Sequence, residues 1–200
     1  MTDLALVRHG PTDWNADRRI QGRADRPLSA AGRAAVAAWR LPPPFRDFNV
    51  VCSPLRRARE TAAALAGAAP VEPDLVEMDW GSWEGRRLAD LRAELGPAMA
   101  ANEDRGLDFR PTGGESPRDV QARLAPWLAA VARRRRPTLA VTHKGVIRAV
   151  YALAAGWDMT GKAPHRLANA ALHHFRLDGD GHPAIVALNI PLDADREAAP

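Results

Sequence analysis

The sequence predicts an α/β fold: a three-layer α/β/α sandwich whose sheet is mostly parallel and has an antiparallel edge strand. Apolar runs of strand length alternate along the chain with longer segments of helical periodicity. Two of these runs, at residues 49–53 and 138–143, lead almost directly into helical segments, as in a parallel sheet. Because neither a repeat nor a linker interrupts this order, we expect one domain over residues 1–192. Residues 193–200 are predicted to be a frayed tail.

The first half of the chain supplies two predicted strands, each followed by a helix. Residues 4–9 form a buried apolar run that a Gly-Pro pair ends at a loop. Ser29 opens an alanine-rich segment and predicts a helix over residues 29–39, since serine is a favoured N-cap residue. The run NVVCS predicts the second strand, and Pro54 suits the start of the helix that follows.

The second half supplies a long helix, a third buried strand and a closing hairpin. Ser116, Pro117 and Asp119 have the order of a capping serine, a first-position proline and an acid in the first turn. This order predicts a helix that runs to about Arg134. The third strand is TLAVTH, with the helix GVIRAVYALAAG after it. The segments LHHFRLD and AIVALNI predict the antiparallel strands, and VEMDWGSWEGRRL predicts a loop after a short strand.

The composition is typical of a folded protein from a reducing compartment. Of the 200 residues, 46% are hydrophobic and 26% are charged. The N-terminal residues MTDLALVRHG fit neither a signal peptide nor a membrane span, and the single Cys52 cannot form an internal disulfide. We therefore expect a cytoplasmic protein that does not bind membranes. The net charge of +4 fits either a polyanionic partner or a substrate with phosphate or carboxylate groups.

Arginine and histidine side chains stand where the predicted strands end and their helices begin. Arg8 and His9 end the first strand, Arg57 lies in the first turn after the second, and His143 ends the third. Ligands of open α/β sheets bind at the carboxyl ends of the strands, where helix N-termini offer free N–H groups to anions. If these strands are neighbours, two imidazoles and two guanidiniums converge. Such a cluster suits a phosphoryl group, because guanidinium pairs bidentately with its oxygens.

Six segments, in chain order, resemble the histidine phosphatase (phosphoglycerate mutase-like) superfamily: LVRHGPTDWN, RIQGRADRPLS, SPLRRARETA, EMDWGSWEG, GGES and THKGVIR. They cover roughly residues 4–156. Six motifs in order are a far more specific signal than the tripeptide RHG alone. The resemblance implies a phosphoglycerate mutase-like fold and a phosphomonoesterase (EC 3.1.3.-) that passes the phosphoryl group through a phosphohistidine.

The resemblance also implies roles for individual residues. It makes His9 the nucleophile and Glu77 the proton donor, with Asp79 and Glu84 as rivals for the acid role. The remaining catalytic residues, which clamp the phosphate, are Arg8, Arg57 and His143. Further phosphate-binding residues implied by the resemblance are Asn15, Gln21 and Gly22. The arginines take the place of a metal ion, so neither a metal nor another cofactor is expected.

Two positions depart from the family pattern. Lys144 stands where the family usually has glycine or another small residue. Its ammonium either contacts an anionic substrate at the pocket rim or is a solvated group at a helix start. Pro11 and Thr12 replace the Glu-Ser pair typical of cofactor-dependent mutases, whose longer insertion after the acidic loop is also missing. These differences favour a phosphatase over a mutase.

The predicted function is therefore hydrolysis of a phosphate monoester of a small anionic metabolite. A cofactor-dependent phosphoglycerate mutase and a non-enzymatic phosphate-ligand sensor or adaptor are the alternatives. Residues 133–136 form an arginine run that suits a solvated helix end better than a nucleic-acid site. The loop after the nucleophile favours a strongly anionic substrate because it carries Arg18, Arg19, Arg23 and Arg26. The natural substrate and the oligomeric state do not follow from the sequence.

Overall fold

The computed structural model describes residues 1–192, in which five strands form a single sheet. The predicted tail at residues 193–200 lies outside the described part of the chain. The strands are β1 (Thr2–Arg8), β2 (Asn49–Cys52), β3 (Thr138–Thr142), β4 (Ala171–Leu177) and β5 (Pro183–Pro191). Their order across the sheet is β2-β3-β1-β4-β5.

The sheet combines a parallel half with an antiparallel half. The central strand β1 pairs in parallel with β3, which pairs in parallel with β2. On its other side β1 pairs antiparallel with β4, which pairs antiparallel with the edge strand β5. The predicted α/β sheet that combines parallel and antiparallel strands is confirmed, with two pairings of each kind. Since β1 and β3 are neighbours, their carboxyl ends lie side by side.

Seven α-helices lie within residues 1–192: α1 (Asp13–Ala16), α2 (Ala30–Ala38), α3 (Arg56–Ala66), α4 (Leu88–Leu95), α5 (Pro97–Glu103), α6 (Pro117–Arg134) and α7 (Lys144–Ala155). The predicted caps are present. Ser29 Oγ accepts the N–H of Gly32 at 2.9 Å, and Ser116 forms a capping box with Asp119. None of these helices has the length and apolar character that crossing a membrane requires.

Helices cover both faces of the sheet and form two separate cores. Leu4 and Leu6 of β1 face one core, which α6 and α7 complete. Ala5 and Val7 face the other, which includes Val36 of α2. Alternate residues of a strand point to opposite faces, so β1 is buried on both sides. This arrangement confirms the predicted three layers.

The segment between β2 and α6 differs from the prediction. The short strand expected before the Trp-containing loop is only a single bridge between Val71 and Cys52. Helices α4 and α5 were not predicted, because each buries a single side chain, Leu91 or Met99, and so has little apolar periodicity. Together with Trp83, these two side chains form a small third core. This core supports one wall of the site described next.

Candidate active site

The site lies at the carboxyl ends of β1 and β3. His9 directly follows β1, and its backbone N–H donates to the Thr142 carbonyl at 2.9 Å, which extends the ladder between the two strands. His143 is the N-cap of α7, and the centroids of the two imidazole rings are 5.2 Å apart. Arg57, in the first turn of α3, donates from Nε to His9 Nε2 at 3.2 Å. The structure therefore brings together the groups that stand at three strand ends.

His9 is held as a neutral imidazole whose unprotonated nitrogen accepts a hydrogen bond from Arg57. Its Nδ1–H donates to the Gly10 carbonyl at 2.7 Å, so Nε2 is the unprotonated nitrogen. Burial lowers the pKa of His9 well below its usual 6.5, and the nearby Arg8 and Arg57 charges lower it further. An unprotonated nitrogen in a fixed tautomer is what a histidine nucleophile requires.

Arg57 is fully buried and fixed by backbone carbonyls. Its Nη1 donates to Ala24 O and its Nη2 to Gly22 O, each at 2.8 Å. With the bond to His9, these contacts use three of the five guanidinium N–H groups and leave two for a ligand. Burial lowers the pKa of Arg57, and the Glu77 carboxylate opposes that shift. A buried cation of this kind is stabilised when an anion binds beside it.

Arg8 extends the cationic wall. Its Nη1 donates to Asn169 Oδ1 at 2.5 Å, while its buried Nε has no partner within residues 1–192. Burial lowers the pKa of Arg8, again opposed by Glu77. Two guanidiniums therefore approach His9 from β1 and α3.

His143 lies fully buried beside His9, and it is not part of the cavity wall. Its Nε2 is 2.6 Å from Ser53 Oγ, which also accepts the N–H of Leu55 at 3.3 Å. The other ring nitrogen, Nδ1, is buried without a partner within residues 1–192. Burial lowers the pKa of His143 well below 6.5, with Arg57 as the next cause. Ser53 has this orienting position although the sequence analysis did not assign it a role.

Glu77 is buried at the same edge of the sheet. Its Oε1 accepts the N–H of Met78 at 2.8 Å, and its Oε2 accepts the N–H of Gly145 at 3.2 Å. Gly145 is the second residue of α7, so a helix N-terminus holds the carboxylate. Both contacts fix the carboxyl group on the wall of the cavity that contains His9.

The two rival acids are engaged elsewhere. The Glu84 carboxylate accepts the N–H groups of Arg23 and Ala24 at 2.5 and 2.9 Å. Asp79 Oδ1 accepts the N–H of Gly81 at 2.8 Å, and its other oxygen pairs with Arg23. Neither acid lines the cavity, so of the three only Glu77 can reach a bound ligand.

The cavity has a volume of about 620 Å³. The other residues that the sequence associated with phosphate binding all line it, and they are Asn15, Gln21, Gly22 and Lys144. Asn15 Oδ1 accepts from Thr12, which leaves its amide N–H groups for a ligand, and Gln21 Oε1 is buried without a partner within residues 1–192. Gly22 has φ +52°, and a β-carbon there would lie 1.9 Å from the Glu84 carboxylate, so only glycine fits.

The opposite wall is largely apolar, and most of the arginines of the first loop are absent from it. Trp80, Phe109 and Leu88 form the apolar part, next to Arg92 at the rim.

Of the four loop arginines, only Arg19 lines the cavity. Arg23 pairs with Asp79 and Glu115, and Arg26 pairs with Asp13 and stacks on Trp14. Most of this loop's positive charge is therefore neutralised within the protein. Arginines that are paired in this way do not support the expectation of a strongly anionic substrate.

Potential metal ligands cluster outside the cavity. Of the described residues, Asp178, Asp180 and His182 bring oxygen and nitrogen atoms within 4.8 Å of one another. All three are exposed on the turn between β4 and β5.

Comparisons with known proteins show the family to which the chain belongs. The sequence profile of the histidine phosphatase superfamily (branch 1) matches residues 4–191. A glucosyl-3-phosphoglycerate phosphatase of Mycolicibacterium vanbaalenii is 35% identical over 198 residues, covering 88% of this chain and 87% of the relative. A metal-independent phosphoserine phosphatase of Arabidopsis thaliana is 34% identical over 189 residues, covering 88% and 77%.

Solved structures show the same fold. A mycobacterial glucosyl-3-phosphoglycerate phosphatase in complex with VO3 superimposes with a TM-score of 0.76 at 30% identity, over 95% of this chain and 100% of that one. A phosphoserine phosphatase of Entamoeba histolytica in complex with 3-phosphoglyceric acid gives a TM-score of 0.76 at 27% identity, over 94% and 97%. With the sequence profile, the relatives and the fold in agreement, this chain belongs to the histidine phosphatase superfamily, branch 1.

Proposed function

We propose that this protein is a metal-independent phosphatase that hydrolyses a phosphate monoester of a small anionic metabolite, with His9 as the nucleophile. The observation that carries the proposal is the neutral, buried His9, whose unprotonated Nε2 accepts a hydrogen bond from Arg57 in the cavity that also holds Glu77. The similarity to phosphatases that are named for small phosphorylated substrates supports the same reaction.

In the first step the hydrogen bond from Arg57 Nε to His9 Nε2 is released, Nε2 attacks phosphorus, and the bond between phosphorus and the ester oxygen breaks. The protonated form of Glu77 donates its proton to the departing oxygen, so the leaving group departs as an alcohol. Glu77, now a carboxylate, takes a proton from a water molecule that attacks the phosphohistidine. Inorganic phosphate leaves, and His9 returns to its neutral form.

The clamp stabilises the transferring group in both steps. Arg57 offers two N–H groups and Arg8 offers its unpaired Nε to a ligand in the cavity. His143 is assigned to the clamp through the family resemblance: in the tautomer that accepts from Ser53 at Nε2, its Nδ1 carries an N–H, and its ring lies 5.2 Å from that of His9. These donors are fixed before the ligand arrives, because carbonyls hold Arg57, Asn169 holds Arg8 and Ser53 holds His143. Preorganised donors of this kind lower the energy of a charged transition state without reorganisation during the reaction.

The products distinguish a phosphatase from a mutase. We expect phosphorus NMR of reactions with sugar phosphates, phosphoglycerates and phosphoserine, in the presence of a chelator, to show inorganic phosphate as the phosphorus product. A mutase would instead convert one phosphate ester into a positional isomer without releasing phosphate. Accumulation of an isomer would overturn the phosphatase assignment, and a reaction that stops when the chelator is added would overturn the metal-independent mechanism.

Gly145→Ala should impair turnover by displacing Glu77. A β-carbon at position 145 would lie 2.3 Å from Glu77 Oε1 and 3.2 Å from Met78 Cβ. Since a shift of about 1 Å in a catalytic group can cost about 10²-fold, we expect kcat for phosphate release to fall by about that factor. Gly179→Ala is the control, because a β-carbon there meets no heavy atom within 4 Å. Circular dichroism checks that both variants are folded. If Gly145→Ala and Gly179→Ala then had equal kcat values, the position of Glu77 would not limit the reaction.

The pH dependence of kcat/KM should show activity below the usual pKa of histidine. The nucleophile must be unprotonated, and burial together with Arg8 and Arg57 holds the pKa of His9 well below 6.5. Lowering the pH through 6.5 therefore leaves His9 neutral, and the acidic fall in kcat/KM comes at lower pH. The profile is measured with p-nitrophenyl phosphate and corrected for the substrate's own second ionisation. A corrected kcat/KM that has already fallen to half of its maximum at pH 6.5 on the acidic side would contradict this electrostatic account of His9.

A further inference from the structure

A second cavity, of about 610 Å³, adjoins the active site. Three residues line both cavities, namely Arg8, Lys144 and Arg148. The far wall is formed by the segment between α7 and β4, which contributes Lys162 and Arg166. We call this space the basic side cavity and define it by these five residues. Because it shares a wall with the active site, one ligand can contact both.

The lining of the basic side cavity carries five cationic side chains. No aspartate or glutamate is among its lining residues. None of its five cations forms a salt bridge with a carboxylate within residues 1–192. Most arginines of the first loop, by contrast, are paired. Burial lowers the pKa of Lys144, and the charges of Arg8 and Arg148 lower it further, while Glu77 opposes the shift. An anion bound here would relieve this repulsion.

The far wall is held in place by hydrogen bonds. Asn189, in the left-handed region at φ 61°, accepts the N–H of Ala168 at 2.7 Å and donates from Nδ2 to the Arg166 carbonyl at 2.9 Å. Tyr151 Oη, from α7, accepts the N–H of His165 at 2.9 Å. Arg166 therefore extends from a backbone that is fixed against both α7 and β5.

The same segment also connects to the phosphate clamp. Asn169 accepts a hydrogen bond from Arg8 Nη1 at 2.5 Å, while the buried Arg8 Nε has no partner within residues 1–192. The guanidinium of Arg8 therefore stands between the two cavities, with donor capacity left for a ligand. A molecule with one anionic group at His9 has a second cationic surface directly beyond Arg8.

We propose that the basic side cavity binds a second anionic group, a phosphate or a carboxylate, of the same molecule whose phosphate ester reacts at His9. This inference rests on the proposed function and narrows its substrate class to metabolites with two anionic groups. The shared wall favours a distal group of the substrate over a separate anion, because Arg8, Lys144 and Arg148 make one continuous cationic surface. Lys162 and Arg166 are then specificity residues, since they line only the side cavity.

The test is equilibrium binding to the His9→Ala chain, in which turnover does not interfere. Isothermal titration calorimetry compares linear alkanediol bisphosphates of increasing length with the monophosphates of the same diols. Two cavities predict one preferred length, at which the bisphosphate binds about tenfold tighter than its monophosphate, as expected for additional charge-assisted hydrogen bonds. General attraction of an anion to a basic protein would give an advantage that does not depend on length.

A second pair of variants identifies the cavity responsible. In Lys162→Ala/Arg166→Ala the preference for the bisphosphate should disappear. Arg133→Ala/Arg136→Ala removes the same charge from exposed positions that precede β3, at the opposite end of the sheet from the site, and should keep it. A bisphosphate that binds no better than its monophosphate at any length, or a preference that survives loss of Lys162 and Arg166, would overturn the inference.

Phosphate release by the unmodified chain is measured separately with p-nitrophenyl phosphate. If the chain releases phosphate but shows no preference for bisphosphates, the basic side cavity does not bind a second anionic group of the substrate, and the proposed function stands. Bisphosphate preference without turnover would reject the proposed function while retaining two anion sites.

Discussion

The His9→Ala chain is expected to lose essentially all release of phosphate from p-nitrophenyl phosphate, with kcat reduced by about 10⁴-fold or more. Without the imidazole no group is placed to form the covalent intermediate. The clamp residues Arg8 and Arg57 remain in this variant, so the ester still binds. The loss should therefore appear in kcat, with a much smaller change in the dissociation constant of inorganic phosphate measured by calorimetry.

His174→Ala provides the control for loss of an imidazole. His174 lies in β4, where it bonds Asp3 and stacks edge-on against Phe45, away from both cavities. We expect its kcat to stay close to that of the unmodified chain. A His9→Ala chain that retains kcat within about tenfold would show that His9 is not the nucleophile.

Glu77→Gln should reduce kcat/KM by an amount that depends on the leaving group. For an alkyl phosphate, whose leaving oxygen needs a proton, we expect a fall of about 10²- to 10⁴-fold. For p-nitrophenyl phosphate the fall should be much smaller, because p-nitrophenolate departs without protonation. The ratio kcat/KM is the appropriate parameter, since it reports the phosphorylation step apart from the later hydrolysis of the phosphohistidine.

Asp79→Asn tests whether the role belongs to Glu77 alone. Asp79 comes from the same loop, but its carboxylate binds Gly81 and Arg23 outside the cavity. We expect Asp79→Asn to change kcat/KM for both esters by the same factor, whatever its effect on stability. If Glu77→Gln lowered both esters equally, or if Asp79→Asn showed the leaving-group dependence, the assignment of the acid would be wrong.

Most of the strands and helices were predictable because they carry a strong local signal in the sequence. β1 and β3 are uninterrupted apolar runs, and α2 and α6 begin with serine caps that the structure confirms. Helices α4 and α5 were missed because they pack on a core of only three fully buried side chains. Their position depends on contacts with distant parts of the chain, which local periodicity does not record.

Some residues of the site were also predictable from local sequence signals, and others were not. His9, Arg57 and His143 stand at strand ends and helix starts, so their approach followed from the strand order once β1 and β3 were neighbours. The resemblance named Glu77 as the acid, and the structure separates it from its rivals by position. Only Glu77 of the three lines the cavity, while Glu84 and Asp79 bind N–H groups elsewhere. Ser53 opens one of the six motifs, but its contact with His143, 90 residues away in sequence, follows only from the pairing of β2 with β3.

The positioning of Arg8 is also a long-range effect. Asn169 is 161 residues away in sequence and bonds Arg8, while Asn189 fixes the segment that carries Asn169. Neither residue lies in the six motifs from which the family was recognised. The basic side cavity is formed by the same segment, so it too was visible only in three dimensions.

The most direct test of the central claim is to trap the phosphorylated enzyme. The chain is mixed with p-nitrophenyl phosphate, quenched rapidly in alkali and digested for mass spectrometry. We predict one phosphoryl group on the peptide that contains His9, stable in alkali and lost in acid, and absent from His9→Ala. Turnover without any phosphorylated peptide, or a phosphoryl group on another residue, would contradict a phosphohistidine mechanism at His9.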